Sequence, residues 1–219
     1  MITFEVAKKL FSRYFLGPDE ILSVISQTNI SENFFAKKTI PEIPFSQELL
    51  EKSCQDSILI LGVPEDRQGK PLTLNNMRSF YGTDPNIKEP CMYNQDWYLK
   101  EDFAANRTLE FKWYLIKRSI VENTRALRPD QIQEILTTGE QFPSAILTAY
   151  VFFLNYLINK EILWKHDFLW CSDEDHNEDI IYTGRYEDPM GINKNGFNIH
   201  RHLKIRNVYG LVPMIEFRQ

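Results

Sequence analysis

PSAILTAYVFFLNYLIN, residues Pro143 to Asn159, is the stretch around which the rest of the chain has to be arranged. Pro143 opens it, as proline does at the first turn of a helix, where its missing N–H costs nothing. The residues that follow are apolar almost all round, with Tyr150, Phe152, Phe153 and Tyr156 at helical spacing. A helix without a polar face belongs in the middle of a fold. The apolar run Ala145 to Ile158 is shorter than the roughly 20 residues a bilayer crossing requires, so a central soluble helix is expected.

C-terminal to this helix the pattern turns to alternation with a period of two, the signature of strands. Ile162 to Cys171 is strand-like, with Lys165-His166-Asp167 as a candidate turn in its middle. Ile180, Tyr182 and Gly184 alternate with Ile181, Thr183 and Arg185. Phe197, Ile199, Arg201, Leu203 and Ile205 alternate with Asn198, His200, His202, Lys204 and Arg206. Val208 to Phe217 closes the series as a strand whose Pro213 suggests an edge or a bulge. N-terminal to the central helix, Pro129-Asp130 opens a shorter helix, and Leu109 to Leu115 alternates as a half-buried strand.

Before Asn106 the reading is mainly helical. Gly17-Pro18-Asp19-Glu20 ends one helix and starts another. Ile40 to Pro44 reads as an extended linker, Ser46 as a helix N-cap, and Ser57 to Val63 as a buried strand. A short helix is expected around Leu74 to Tyr81, followed by an irregular segment from Gly82 to Gln95. The expected class is α+β, with a mainly helical region at 1–106 and an antiparallel sheet with two helices at 107–219.

Composition narrows the function classes. The 219 residues are 43% hydrophobic, enough for a core. With 25 Lys+Arg against 30 Asp+Glu the net charge is -5, the wrong balance for a general nucleic-acid binder. Residues 1–16 lack the pattern of a secretory signal, so a cytoplasmic chain with no membrane partner is expected. Cys54, Cys91 and Cys171 are too few for a disulfide scaffold and read as reduced thiols. No G-x-S-x-G, Walker loop or G-x-G-x-x-G occurs, which removes common hydrolase and nucleotide readings.

Trp170-Cys171-Ser172-Asp173-Glu174, followed by Ile180-Ile181-Tyr182, resembles a W-[ST]-S-[ST]-E segment and strand. That segment begins the final sheet of C-type-lectin-like and sulfatase-modifying-factor-related domains. Tyr209-Gly210-Leu211-Val212-Pro213 matches their closing strand loosely, and the resemblance covers about Leu109 to Phe217. It implies a lectin-like sheet with two helices and a role in recognising protein or glycan. It carries over no calcium or sugar ligand, because Glu89-Pro90-Cys91 precedes the domain and no W-N-D follows. It carries over no formylglycine chemistry either, since Cys171 stands alone in this half. The N-terminal half, including Asp96-Trp97-Tyr98 and Ile43-Pro44-Phe45-Ser46, resembles a bacterial family and implies no particular activity.

Two groups of residues could carry chemistry. His200 and His202, two apart on a strand, share a face with Lys204 and Arg206. That face reads first as a wet basic strip, then as a surface for acidic ligands together with Tyr182 and Arg185. Cys171, Asp173, Asp175 and His176 are secondary metal candidates in an acidic stretch that also contains Glu174, Glu178 and Asp179. Exposed carboxylates are the simpler reading, with no cofactor or at most a divalent metal. Tyr93, Trp97 and Tyr98 are either satellite packing or a binding surface.

The first functional reading is therefore a non-catalytic module binding protein or glycan through the C-terminal sheet and loops. The alternatives are a small metal-dependent enzyme using His200, His202 and the acidic stretch, and an assembly protein of phage or secretion type. In the last, the N-terminal helices would form a homo-oligomer.

Overall fold

A computed structural model describes residues 2–186, 190, 196–201 and 204–216, without the Tyr186 side chain. The chain is α+β. The first half contains α1 (Phe4–Phe11), β1 (Phe15–Leu16), α2 (Pro18–Ser23), α3 (Gln47–Ser53), β2 (Ser57–Leu61), α4 (Leu74–Tyr81) and α5 (Asp102–Ala105). The second contains β3 (Trp113–Lys117), α6 (Pro129–Ile135), β4 (Glu140–Gln141), α7 (Ala145–Asn159), β5 (Phe168–Glu174), β6 (Ile180–Tyr186), β7 (Gly196–His200), β8 (Tyr209–Gly210) and β9 (Met214–Ile215). No helix among the described residues is long and apolar enough to cross a membrane.

Two mixed sheets form, in the orders β1-β2-β3-β9-β4 and β7-β6-β5-β8. The regions set apart at Asn106 share the first of them: β2 pairs antiparallel with β3 from Ser57↔Lys117 to Leu61↔Trp113. The second sheet also takes in the first half. Tyr93 donates its amide to Phe197 at 2.8 Å and Phe197 donates to Cys91 at 2.9 Å, laying residues 91–93 along β7. One hydrophobic core runs from Ala7 to Val212. A smaller one, built on Trp170, Tyr182, Tyr209, Leu211 and Ile132, covers the other face of the second sheet.

The helix α7 lies between the sheets, as its all-round apolar sequence requires. Ser144 caps it by accepting from the Leu147 amide, and Lys160 ends it in the left-handed region. Two of its polar contacts reach opposite ways: Tyr150 donates its hydroxyl to the Leu61 carbonyl of β2 at 3.0 Å, and Thr148 meets Thr183 of β6 at 2.9 Å.

Several expected elements are trimmed by this packing. The strand read at Leu109–Leu115 begins only at Trp113, and Trp113 to Ile116 are buried without alternation, so both of its faces are covered. Ile40 to Pro44 is extended but packed: Pro41 accepts from the Trp113 indole at 2.8 Å, and Ile43 is buried. The strand read from Ile162 starts at Phe168, after a left-handed His166 (φ 63°) in the expected turn. Pro213 separates β8 from β9 in the closing segment. Gly184, inside β6, is required by close approach, since a Cβ there would lie 2.1 Å from the Asp167 carbonyl oxygen.

The Thr148–Thr183 contact links α7 to the second sheet through two fully buried hydroxyls. Thr148→Val and Thr183→Val should each lower unfolding free energy by about 0.5–1.5 kcal/mol, by removing one hydrogen bond from a buried hydroxyl. The double variant should lose distinctly less than the sum. Urea denaturation of the four proteins measures this, and strict additivity would show that the hydroxyls are not coupled.

Candidate functional site

Alternation along β5 sorts its side chains by face. Leu169 and Cys171 join the main core, Phe168 and Trp170 join the smaller one, and Ser172 and Glu174 are exposed. The Cys171 thiol lies 3.6 Å from both the Leu169 carbonyl and the Thr183 hydroxyl. Burial, reinforced by the Asp173 charge, pushes its pKa up to about 12, so it is a neutral core thiol. Asp173 is buried too. It accepts from the Ala145 amide at 2.6 Å, at the positive end of α7, and pairs with Arg107. Burial raises its pKa against the opposing pull of Arg107 and that amide.

Two residues further on the chain turns, and here the polar groups converge. Asp175 accepts from the amides of Asn177 at 2.8 Å and Asp179 at 3.0 Å, and also binds Arg201. Burial alone would raise its pKa. The Asp179 amide, Arg201 and the Asn177 amide outweigh that and hold it at about 2. Glu101, just before α5, grips the next residue twice. It accepts from the His176 amide at 3.0 Å and contacts the ring Nδ1 at 2.7 Å. A carboxylate can only accept, so Nδ1 donates to it. The imidazole is 64% exposed while the Glu101 side chain is 9% exposed.

Arg201 completes the cluster. Its guanidinium bonds Asp175, lies 3.9 Å from Glu101 and stacks over Trp97 at 4.4 Å. The Trp97 indole is itself fixed by donating to the Ile199 carbonyl at 3.2 Å. The ligand-capable atoms of Glu101, Asp175 and His176 all lie within 4.8 Å of one another, a spacing that suits a divalent ion. Arg201 already supplies a positive charge to both carboxylates, and an added cation would have to compete with it.

Of the four secondary metal candidates, then, Asp175 and His176 come together, while Cys171 and Asp173 face α7. The basic strip is not assembled as read. The strand β7 stops at His200, and Lys204 and Arg206 are exposed beyond it; His202 lies outside the described residues. Tyr182 is fully buried. Arg185, 3% exposed, is committed to a two-pronged pair with Glu89 at 3.1 Å.

His200 was expected on a wet face. The register pairs it with Tyr182, whose ring it stacks on at 5.7 Å, and Phe168 packs at its edge. Gln95 bonds its Nδ1 at 3.1 Å. Burial lowers its pKa to about 4. The sequence left Trp97 between satellite packing and a binding surface, and gave no sign of Glu101, which stands 75 residues before its partner.

No protein-family model, curated protein or solved structure matches this chain, so the functional reading rests on its own residues.

Because folded His200 resists protonation, the unfolded chain takes up a proton that the folded chain refuses as pH falls below about 6.5. Its contribution to stability should be complete above that pH and lost progressively toward pH 4. Relative to His200→Phe, which keeps a ring but cannot titrate, the native protein should lose unfolding free energy between pH 7 and 4.5. A pH-independent difference in urea midpoints would contradict this.

Proposed function

We propose that the protein is a non-catalytic recognition module that holds a protein or glycan ligand against the surface of Trp97, Glu101, His176 and Arg201. The observation that carries this reading is the double grip of Glu101 on His176. It fixes an exposed imidazole beside an arginine already anchored on an indole and a carboxylate. Directed donors and acceptors held in place before binding cost little ordering entropy on association, which suits recognition. Exposed Lys204 and Arg206 follow Arg201 in sequence and extend the same basic segment toward acidic ligands.

A C-type-lectin-like arrangement of the second half is consistent with this role. The strand β3 lies beside β9, and between them in sequence come α6, α7 and the β5-β6-β7 meander. Loops carried on such a frame are the usual place for binding residues.

A metal-dependent reading draws on the same triad, Glu101, Asp175 and His176. One set of measurements separates the two. Wild type, His176→Ala and Arg201→Lys are screened on a glycan microarray and a displayed peptide library, and titrated calorimetrically with zinc and calcium. The recognition reading expects a saturable glycan or peptide ligand, at least tenfold weaker binding in both variants, and no stoichiometric cation. A ligand that both variants bind as well as wild type, or the absence of any ligand, would sink it. Stoichiometric zinc lost in His176→Ala would establish the metal reading instead.

A further inference from the structure

A second polar feature lies in the first half, away from the residues discussed above in sequence. A pocket of about 220 Å³ opens between the segment Ser31–Lys38 and the turn Glu65–Gly69, lined among others by Ser31, Asn33, Lys37, Lys38, Glu65 and Arg67. The two walls are tied together by a bridge between Ile30 and Asp66 and by the side chain of Arg67. That guanidinium donates from Nε to Thr28 at 2.7 Å, and from Nη2 to Ile25 at 2.9 Å and Ser26 at 2.6 Å, all backbone carbonyls. It also stacks over Phe80 at 4.9 Å. Three carbonyls and a ring hold the arginine rigid, yet Nη1 has no hydrogen-bond partner among the described residues.

The charge around this pocket is unbalanced. Lys37, Lys38 and Arg67 face one lining carboxylate, Glu65, which reaches Lys38 at 4.0 Å. The neighbouring Asp66 is 6% exposed and turned into its own turn, accepting from the Gln68 and Lys70 amides and from Asn76. On the other side Lys88 lies 4.2 Å from the Phe80 ring, so Phe80 is shared by two cations. Burial and the nearby Arg67 charge lower the Lys88 pKa, as expected where positive charge is crowded. On a chain with a net charge of -5, such crowding is a local reversal of sign.

We infer that this pocket binds a small dianionic phosphate, either free or as the head of a phosphate monoester. Lys37 and Lys38 would supply mobile point charges, and the fixed Arg67 Nη1 a directed donor. Ser31 and Asn33 would add neutral donors. The lining is polar, and Phe34, its one aromatic member, is buried in the core, so the ring is not presented for stacking on a nucleobase.

The test is isothermal titration of the full chain with inorganic phosphate and with glycerol phosphate. It uses wild type, a Lys37→Gln/Lys38→Gln double variant, Glu65→Gln, and a Lys9→Gln/Lys52→Gln control. All four lysines are exposed, so folding is not at stake. The expected result is saturable one-site binding, weakened at least tenfold in Lys37→Gln/Lys38→Gln, strengthened severalfold in Glu65→Gln, and unchanged in the control. Tighter binding of the ester than of free phosphate would identify a phosphorylated metabolite as the ligand class, and the reverse order would identify free phosphate. Failure of both anions to bind wild type would overturn the inference. So would equal binding by wild type and Lys37→Gln/Lys38→Gln, or an equal loss in the control.

Discussion

The enclosure of α7 is the constraint on which the other features depend. Ala145 to Leu154 are buried without interruption, so the helix needs apolar partners on every side. Each fully buried leucine, isoleucine or phenylalanine contributes roughly 1.5–3 kcal/mol, and no single layer could collect that around a whole circumference. The answer is the second sheet on one side and α2, α4 and α5 around much of the rest, with α7 bonded to β2 through Tyr150 and to β6 through Thr148. The N-terminal region is thus part of the same core as the C-terminal strands.

Polar groups near the helix are organised by the same geometry. Three carboxylates in or beside the second sheet each meet an arginine distant in sequence: Asp173 with Arg107, Asp175 with Arg201, and Glu89 with Arg185. Such pairs lose hydration when buried, and they fix geometry more than they add stability. Two of them, Asp173 with Arg107 and Glu89 with Arg185, tie the segment around residues 89–107 to β5 and β6. What remains exposed at that junction is the His176 ring beside Arg201, already oriented.

How much of this could be read in the sequence depended on whether the signal was local. The central helix, the buried strand at Ser57–Leu61, the cap at Ser46 and the meander all follow from periodicity and capping, which are local properties. The Leu109–Leu115 strand misled because period-two alternation implies one wet face, whereas Trp113 to Ile116 are all buried. His200 misled for a related reason: its strand alternates as expected, but Tyr182, Phe168 and Gln95 cover the face that periodicity assigned to water. The acidic stretch read as solvated because its arginine partners stand 66 residues before Asp173 and 26 after Asp175. Glu101 was invisible for the same reason.

If α7 binds both sheets into one body, the two halves cannot unfold separately. Native-state hydrogen exchange in increasing urea measures this directly, by following the amides of Ile58 to Leu61 in β2 and of Ile181 to Thr183 in β6. Both sets should converge on one opening free energy with one urea dependence, equal to that of global unfolding. If β6 opened at distinctly lower free energy while β2 remained protected, the halves would be independent units. The shared core described above would then not be what holds the His176 surface in place.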